Sequence, residues 1–360
     1  MGPPRYQSFE KREFAMIQPN LNPRDEFPER DSIVDSFGRV HTNLRISVTD
    51  RCNIRCFYCM PLENVNFRPR AELLTFDEIH RFVTVAARMG INKVRLTGGE
   101  PLVRREMWRL VEMLNSVPGI NEVAMTTNAI LLAKHAQQLR DVGLARLNIS
   151  LDALDEAKFR EIARRDGLDK VLHGIEVAQQ VGFDSIKINT VAISDVNADQ
   201  VVPLARFCRE RNLQLRFIEF MPLDAEANWQ NSAVLSGESL RKIISDAVCE
   251  LVPIDPVDPH QPAVDFEYTD GSGSVGFINS VSQPFCNKCN RLRITSEGQL
   301  QNCLFSSGQW DVRELLRNTD ANDQQIAQLI LDCVGAKAAG HGSNNLDFVR
   351  PDKAMYQIGG

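Results

Sequence analysis

The sequence predicts an α/β fold in which six parallel strands, joined by helices, form a partial (β/α)6 barrel. From residue 44 to residue 217, short apolar runs typical of strands alternate with longer amphipathic runs typical of helices. This alternation predicts βαβ units. Six strands are two fewer than the eight that close a full (β/α)8 barrel. A polar face on every strand further predicts that the inside of the barrel receives a polar ligand.

The elements can be placed in order along the chain. Residues 1–40 are rich in proline and charge, which predicts a poorly ordered N-terminal extension. Residues 41–250 carry the barrel, and residues 251–360 form a smaller C-terminal α+β region with short strands at Phe266–Tyr268 and Ser274–Ile278. The predicted barrel strands are Leu44–Val48, Lys93–Thr97, Glu122–Thr127, Ala145–Leu151, Ser185–Thr190 and Leu213–Phe217. The predicted helices are Phe76–Met89, Arg104–Asn115, Leu131–Val142, helices within 155–181, and Asp199–Arg211.

Alternate residues of the six strands are polar, and many of them are cationic. Strands buried on both faces of a parallel sheet usually read as continuous apolar runs. Burying arginine or lysine without a partner is costly, so this face predicts a wet chamber for an anion. The alternative is a set of internal salt bridges with Glu100 and Asp152. The polar positions are Arg45, Ser47, Lys93, Arg95, Thr97, Thr126, Asn128, Asn148, Ser150, Asp152, Lys187, Asn189, Gln214 and Arg216.

Composition limits the class of protein. The net charge is −6, so the chain has no long-range field that attracts nucleic acid, and an anionic ligand would need a local basic pocket. No apolar run reaches the length of a membrane span, and the N-terminus lacks the apolar core of a signal peptide. We therefore expect a cytoplasmic protein. In that compartment its nine cysteines indicate metal ligands more than disulfides.

Three cysteines, Cys52, Cys56 and Cys59, follow the first strand with C-x3-C-x2-C spacing. Thiolates at such short spacing suit an iron–sulfur cluster or zinc, and not calcium or magnesium. A four-iron cluster held by three cysteines leaves one iron open to a small molecule. A zinc knuckle or three buried thiols are the alternatives, although structural zinc sites usually have four ligands.

A second group, Cys286, Cys289 and Cys303, has C-x2-C-x13-C spacing. It also supplies three thiolates and predicts a second [4Fe–4S] cluster with an open iron. A zinc ribbon would need a fourth ligand, for which His260 and His341 are available but not at finger-like spacing. A redox-active C-x-x-C pair is the other alternative, and the third cysteine weakens it.

The first cysteine motif, followed one βα unit later by Thr97–Pro101 (TGGEP), resembles the radical S-adenosylmethionine (SAM) superfamily. A lone GGE is weak by itself, and a lone methionine is more often core packing. The resemblance implies a TIM-like partial barrel of the radical SAM type. In that family the GGE motif holds the amino group of SAM, so Glu100 is expected to supply a carboxylate for it. The SAM-binding residues that it implies are Tyr58, Gly99, Ser150 and Met221.

The chain from about Leu44 to Gly360 closely resembles the GTP 3′,8-cyclase family of molybdenum cofactor biosynthesis. The segments that carry the resemblance are Leu44–Cys52, Val94–Pro101, Thr126–Asn128, Lys187–Thr190, Arg216–Glu219, Phe285–Arg293 and Gly359–Gly360. Ala129 stands where the family usually has glycine. Residues 339–350 differ from the usual sequence of the family, so no site is placed in that segment.

This second resemblance implies a radical SAM lyase that converts GTP to (8S)-3′,8-cyclo-7,8-dihydroguanosine 5′-triphosphate, the first step of molybdopterin biosynthesis. It implies two [4Fe–4S] clusters and SAM as cofactors, with the second cluster anchoring the guanine base. It also implies an electron donor, a downstream cyclic pyranopterin monophosphate synthase and a homodimer. The tail Gly359–Gly360 would reach the active site. The implied GTP contacts are Arg45, Arg95, Thr126, Lys187, Arg291 and Arg293, with Lys93 as a phosphate partner.

Two other functions stay open from the sequence. A different radical SAM enzyme with an auxiliary cluster, such as a peptide maturase, would share the first motif without needing the cationic strand faces. A non-catalytic iron–sulfur protein would bind clusters but would not cleave SAM. Binding of GTP separates the first of these from the cyclase, and cleavage of SAM separates the second.

Overall fold

The computed structural model describes residues 32–224, 226, 229–306, 310–343, 348, 350–351 and 353–359. The strands are β1 Ile33–Val34, β2 Val40–His41, β3 Asn43–Ser47, β4 Lys93–Thr97, β5 Glu122–Thr127, β6 Arg146–Ser150, β7 Ile186–Ala192, β8 Gln214–Glu219, β9 Leu251–Pro253, β10 Val264–Tyr268, β11 Ser274–Ile278, β12 Arg291–Ile294, β13 Gln299–Gln301 and β14 Trp310–Asp311. The α-helices are α1 Phe76–Arg88, α2 Met107–Asn115, α3 Leu132–Asp141, α4 Glu156–Ala163, α5 Leu168–Gln180, α6 Ser194–Asn197, α7 Val201–Glu210, α8 Gly237–Ala247, α9 Arg313–Arg317, α10 Asp323–Gly335 and α11 Met355–Ile358.

The six strands β3 to β8 lie side by side in chain order, and every neighbouring pair is parallel. This confirms the predicted (β/α)6 arrangement, with strand bounds that agree within two residues. Two of the helices that follow these strands begin at a capping side chain: Thr75 accepts a hydrogen bond from the Glu78 amide and completes a capping box at α1, and Asp155 accepts from the Lys158 amide at α4. The apolar strand face packs beneath these helices, with Leu44 and Ile46 fully buried.

Strands of the C-terminal region extend the same sheet at both ends. β11 adds parallel to β8, and β12 adds parallel to β3. β10 and β9 continue beyond β11, and β13 and β14 continue beyond β12, to give one open sheet of twelve strands. The short strands predicted after residue 251 are present, but sequence alone did not predict that β12 carries its arginines into the row of barrel strands.

Part of the predicted N-terminal extension packs on the body. Residues 1–31 lie outside the described residues, so their predicted disorder stays a prediction. β1 and β2 pair as an antiparallel hairpin, and Ile33 has no exposed surface. The division of the chain at 40 and 250 likewise stays a prediction.

Ala129 lies in the left-handed region, with φ at +61°. Glycine adopts this conformation without steric cost, whereas alanine does not. The departure from the usual family glycine therefore falls on a turn that favours glycine. In the described part of the chain, no helix has the length and apolar character needed to cross a bilayer.

Candidate active site

Three arginines lie side by side at one level of the sheet. The register places Arg45 of β3 opposite Arg95 of β4 on one side and opposite Arg293 of β12 on the other. One layer away, Arg291 and Lys93 flank Asn43 in the same manner. The polar alternation of each strand therefore becomes a continuous cationic surface once the strands pair in parallel.

Arg293 is buried and Arg45 and Arg95 are half-buried, and this cationic surface lacks full hydrogen bonding among the described residues. The Nε atoms of Arg45, Arg95 and Arg216 have no partner there. Burial, with repulsion from Arg146 and Arg216, lowers the pKa of Arg95 to about 9. Burial and the charge of Arg291 lower the pKa of Arg293 to about 10. Cations so short of partners indicate a site that an anion completes.

Acidic groups balance only part of this charge. Arg216 forms an ion pair with Asp265 at 3.6 Å, and Arg146 pairs with Glu122. Glu100 and Asp152, the carboxylates of the salt-bridge alternative, instead accept hydrogen bonds from neutral groups. The strand face thus keeps an excess of positive charge.

One cavity joins the arginines to the second cysteine triad. Five of the six predicted GTP contacts line it, and Met221 lies on the same wall. Asn148 and Asn189 also line it, each with an amide atom that has no hydrogen-bond partner among the described residues. Together with Met221, Asn148 and Asn189, the principal lining residues, which include these five contacts, are Arg45, Arg95, Thr126, Arg216, Arg291, Arg293, Cys286, Cys289, Cys303, Phe305, His341 and Met355.

Lys187 and Lys93 stand apart from this lining. Lys187 shares a register row with Asn148, and burial together with the charge of Arg216 lowers its pKa to about 7. Lys93, the expected phosphate partner, forms an ion pair with Asp258 at 2.8 Å. A phosphate would therefore compete with Asp258 for the Lys93 ammonium.

The second triad has two parts: Cys286 and Cys289 lie at the 3-10 turn Cys286–Lys288 just before β12, and Cys303 lies just after β13. The Cys289 amide donates to the Cys286 carbonyl at 3.2 Å, which brings these two cysteines to one side of the turn. Burial acts to raise the pKa of Cys289, but Arg291 and Lys337 outweigh it and lower that pKa to about 6. Burial raises the pKa of Cys286, so the thiolate form is favoured at Cys289 in particular. Three thiols that share one cavity with cations beside them fit an iron–sulfur cluster.

The first triad occupies the loop between β3 and α1. This loop is anchored on α4, where the Arg55 amide donates to Ala163 O at 2.8 Å and the Phe57 amide to Ile162 O at 3.1 Å. Burial raises the pKa of Cys52 to about 11, and burial also raises the pKa of Cys59, with Cys52 adding to the shift. None of the three lines the arginine cavity.

The thiols of the first triad are near enough to interact electrostatically, as a shared cluster requires. Among the described residues, no three His, Cys, Asp or Glu side chains are arranged to hold a single metal ion. A four-iron cubane is larger than one ion and holds its thiolate ligands further apart.

The TGGEP motif packs directly against this cysteine loop. A side-chain Cβ on Gly99 would lie 2.3 Å from Arg51 O, and one on Gly98 would lie 2.5 Å from Thr49 O. The Gly99 amide donates to Thr49 O at 2.7 Å. We expected these glycines to allow close approach to a ligand. In the structure they are needed for the close approach of the TGGEP motif to the cysteine loop.

Glu100 ties the end of β4 to the end of β5. Its carboxylate accepts from Thr127 Oγ1 at 2.7 Å and from the Asn128 amide at 2.7 Å. Burial raises its pKa to about 7. The carboxylate for which we expected an ammonium partner is therefore already held by protein donors.

The predicted SAM-binding residues Tyr58 and Ser150 lie at the carboxyl ends of the strands. The Tyr58 hydroxyl donates to Asp152 Oδ2 at 2.6 Å. The Val191 amide donates to the other oxygen of Asp152 at 2.8 Å, which fixes this carboxylate. Asn128 Nδ2 contacts Cys52 Sγ at 3.7 Å and so links the first triad to β5.

The C-terminal tail enters the barrel. Arg293 Nη1 donates to the Gly359 carbonyl at 2.6 Å, and Ile358 is fully buried. Gly359 has φ at +83°, and a Cβ there would lie 2.9 Å from Thr97 Cγ2 and 3.0 Å from Ser47 Cβ. Glycine is required at this close approach. Gly360 lies outside the described residues.

Comparisons with known proteins agree with this geometry. Residues 46–208 match the family model described as the Radical SAM superfamily, and residues 213–343 match the model described as Molybdenum Cofactor Synthesis C. A GTP 3′,8-cyclase of Rhodopirellula baltica is 48% identical over 332 residues, which cover 91% of this chain and 92% of that protein. A GTP 3′,8-cyclase of Listeria monocytogenes is 39% identical over 91% of this chain and 98% of its own length.

The chain belongs to the GTP 3′,8-cyclase family. Its fold also resembles solved structures of SuiB from Streptococcus suis, at 17% identity for the form bound to S-adenosylmethionine. That comparison has a TM-score of 0.57 and covers 79% of this chain and 67% of SuiB. Membership in the radical SAM superfamily implies SAM and a [4Fe–4S] cluster as cofactors.

For this family member, sequence reasoning missed several residues that the cavity includes. Arg216, Asn148 and Asn189 were recognised as polar strand positions but were not assigned to the ligand, although the same alternation that selected Arg95 selects them. Lys337, which lines a second cavity beside the triad, has no sequence signal, because it lies outside the strands and outside any motif. His341 lines the cavity and stacks on Phe305 at a centroid distance of 4.7 Å.

Proposed function

We propose that this chain catalyses the conversion of GTP to (8S)-3′,8-cyclo-7,8-dihydroguanosine 5′-triphosphate, with the site residues assigned below. The observation that carries the assignment is the cavity in which the arginine row, Arg45, Arg95 and Arg293, meets the second cysteine triad. A nucleoside triphosphate suits both ends of this cavity, because its anionic phosphate chain can bind the cations and its base can bind at the cluster end.

The arginine row and its neighbours bind the triphosphate. Arg guanidinium groups hold phosphate oxygens through paired N–H donors, and a buried cation gains most from such a partner. The unpartnered Nε atoms of Arg45, Arg95 and Arg216 supply donors in place. Lys187 and, after release from Asp258, Lys93 add point charges near the amino-terminal ends of β7 and β4.

The second triad would hold a second [4Fe–4S] cluster whose open iron anchors the guanine base. Arg291 and Arg293 follow the ligand Cys289 on the same strand, so the base end and the phosphate end of GTP are fixed by one segment. The Arg291 guanidinium also lies over the Phe285 ring at 4.6 Å, which orients it beside the cluster loop. Holding both ends restricts the ribose to one position.

The first triad would hold the cluster that binds SAM, with Gly99, Ser150, Tyr58 and Met221 around it. When bound, the cluster and SAM supply the electron and the hydrogen-abstracting radical chemistry that ring closure between C3′ and C8 requires. The protein's part is placement: the Gly98–Gly99 packing fixes the cysteine loop, and Asp152 fixes the Tyr58 ring. Met221 lines the arginine cavity, so its assignment to SAM would put the SAM site next to that cavity.

Several further assignments complete the proposal. The enzyme class is lyase, and the location is the cytoplasm. An electron donor reduces the first cluster, a cyclic pyranopterin monophosphate synthase consumes the product, and the chain forms a homodimer. The tail at Gly359, held by Arg293, contributes to the wall of the active site.

An anaerobic assay tests the proposal. The protein is reconstituted with iron and sulfide, reduced, and mixed with SAM and GTP, and the products are identified by mass spectrometry. We expect 5′-deoxyadenosine together with a cyclised GTP product. Deoxyadenosine with unchanged GTP would place the substrate elsewhere, and the absence of both from protein with about eight irons per chain would overturn the enzymatic proposal.

A further inference from the structure

Lys337 lies on the side of the second triad that faces away from the arginine row. It follows helix α10 and is 5% exposed. The triad cysteines line two cavities, the arginine cavity on one side and a second cavity that includes Lys337 and Arg39 on the other. The triad therefore stands between two sets of cations.

Three contacts hold the Lys337 ammonium in place. Its Nζ donates to Cys289 Sγ at 3.5 Å, to Arg291 O at 3.0 Å and to Asn302 O. Asn302 directly precedes the ligand Cys303, and Arg291 belongs to the segment that follows the ligand Cys289. One ammonium group therefore connects the two separated parts of the triad.

The charge of Lys337 has no carboxylate partner among the described residues. Among the described residues, the group in contact with its Nζ that can carry a negative charge is the Cys289 thiol, at 3.5 Å. Asp35, a carboxylate of the same neighbourhood, is engaged by Arg39 at 2.6 Å and by His41 at 3.1 Å. An ammonium buried without a carboxylate is costly unless another anion compensates it.

We propose that Lys337 is the fixed counter-ion of the second cluster, which holds its ligand loop and raises its reduction potential. This inference rests on the proposed second cluster. A cubane with three thiolates is negatively charged, and one-electron reduction makes it more negative. A buried positive charge in contact with a ligand sulfur therefore stabilises the reduced form more than the oxidised form.

The test isolates the second cluster in the full-length chain. A background variant with Cys52→Ala, Cys56→Ala and Cys59→Ala leaves only the second triad, and its cluster is followed by iron content and by electron paramagnetic resonance during a redox titration. In this background we expect Lys337→Met to lower the ratio of reduced to oxidised cluster at a fixed potential by about tenfold, which corresponds to a potential about 59 mV lower for a one-electron couple. Lys337→Arg, which keeps the charge, is expected to stay near the background.

Lys288→Met is the matched control, because Lys288 lies between two ligands in sequence but is exposed to solvent. Solvent screens its charge, so its removal is expected to leave the potential nearly unchanged. Loss of the cluster from Lys337→Met but not from Lys337→Arg would also support the counter-ion role. An unchanged potential in Lys337→Met, or equal changes in the Met and Arg variants, would overturn it.

The same titration separates this inference from the proposed function. If the background variant itself binds no four-iron cluster, the second cluster is wrong and the counter-ion role fails with it. If the background holds about four irons and only the Lys337 result is negative, the second cluster stands and the counter-ion role alone fails.

Discussion

The two cysteine triads have the same number of ligands but opposite electrostatic surroundings. At the first triad, burial raises the pKa values of Cys52 and Cys56, and the carboxylates of Glu100 and Asp152 add to these shifts. At the second triad, Arg291 and Lys337 overcome burial and lower the pKa of Cys289 to about 6, whereas burial raises the pKa of Cys286.

This difference is consistent with the ligands that we propose for the two triads. SAM carries a sulfonium and an ammonium group, so acidic surroundings suit it. GTP carries an anionic triphosphate, which suits the cations around the second triad. The charged groups around the cysteines thus distinguish two sites that each have three cysteine ligands.

The largest expected effects come from removing one ligand of each triad. Cys56→Ala should abolish formation of 5′-deoxyadenosine, because the remaining two thiolates cannot hold the first cluster. Cys303→Ala should retain some SAM cleavage while losing cyclised GTP. Mass spectrometry of both products distinguishes the variants, and Cys249→Ala, at a thiol in neither triad, should leave both products unchanged. Equal loss of both products in the two triad variants would contradict a division of roles.

Gly99→Ala should damage the first triad and spare the second. Its new methyl group would meet the backbone of Arg51, and overpacking of this kind costs about 1–3 kcal/mol. We expect a lower free energy of unfolding and a fall in bound iron to about four per chain after reconstitution. Gly335→Ala, where a Cβ meets open space, is the control. Unchanged iron content in Gly99→Ala would show that the loop tolerates the displacement.

Arg95→Met should weaken GTP binding without affecting SAM binding. Hydrogen bonds to charged groups contribute about 1.5–3 kcal/mol, so the dissociation constant for GTP should rise roughly 10- to 150-fold. The free energy of unfolding should not fall, because the variant removes a buried cation that lacks a full set of partners. Arg51→Met, at an exposed arginine beside the first triad, is the control for calorimetric titration with GTP. A normal GTP affinity in Arg95→Met would remove the arginine row from the triphosphate site.

A smaller effect is a pH dependence of GTP binding through Lys187. Its pKa is lowered to about 7, so the side chain is charged below pH 7 and increasingly neutral above it. The triphosphate favours the charged form, so above pH 7 binding takes up a proton and weakens by up to about tenfold per pH unit. Calorimetry in buffers of different ionisation enthalpy measures the uptake, and Lys187→Met should remove this component. The same proton uptake in the variant would assign it to another group.

Much of this account could be predicted from the sequence, for physical reasons. Strand alternation has a period of two, so the polar faces that carry Arg45, Arg95 and Lys187 are visible without a structure. The short spacing of Cys52, Cys56 and Cys59 confines three thiols to one loop, so the first triad is visible in the sequence. The second triad is visible through its C-x2-C pair and the third cysteine, Cys303, that follows. The parallel order of six strands follows from the βαβ pattern.

The remainder depends on contacts between segments that are distant in sequence. Nothing local places β12 beside β3, yet this pairing puts Arg293 next to Arg45. Glu100 has a motif position but its partners, Thr127 and Asn128, come from the next strand. Lys337 reaches Cys289 from 48 positions away, with no pattern of its own.

The most direct test of the central claim compares two triple variants, Cys52/Cys56/Cys59→Ala and Cys286/Cys289/Cys303→Ala. Each is reconstituted without oxygen, and its iron, its GTP affinity and its products from SAM are measured. We predict about four irons per chain in both. The first variant should bind GTP but form no deoxyadenosine, and the second should form deoxyadenosine but bind GTP weakly. A single zinc ion at either triad, or the same loss of both activities in the two variants, would contradict the account.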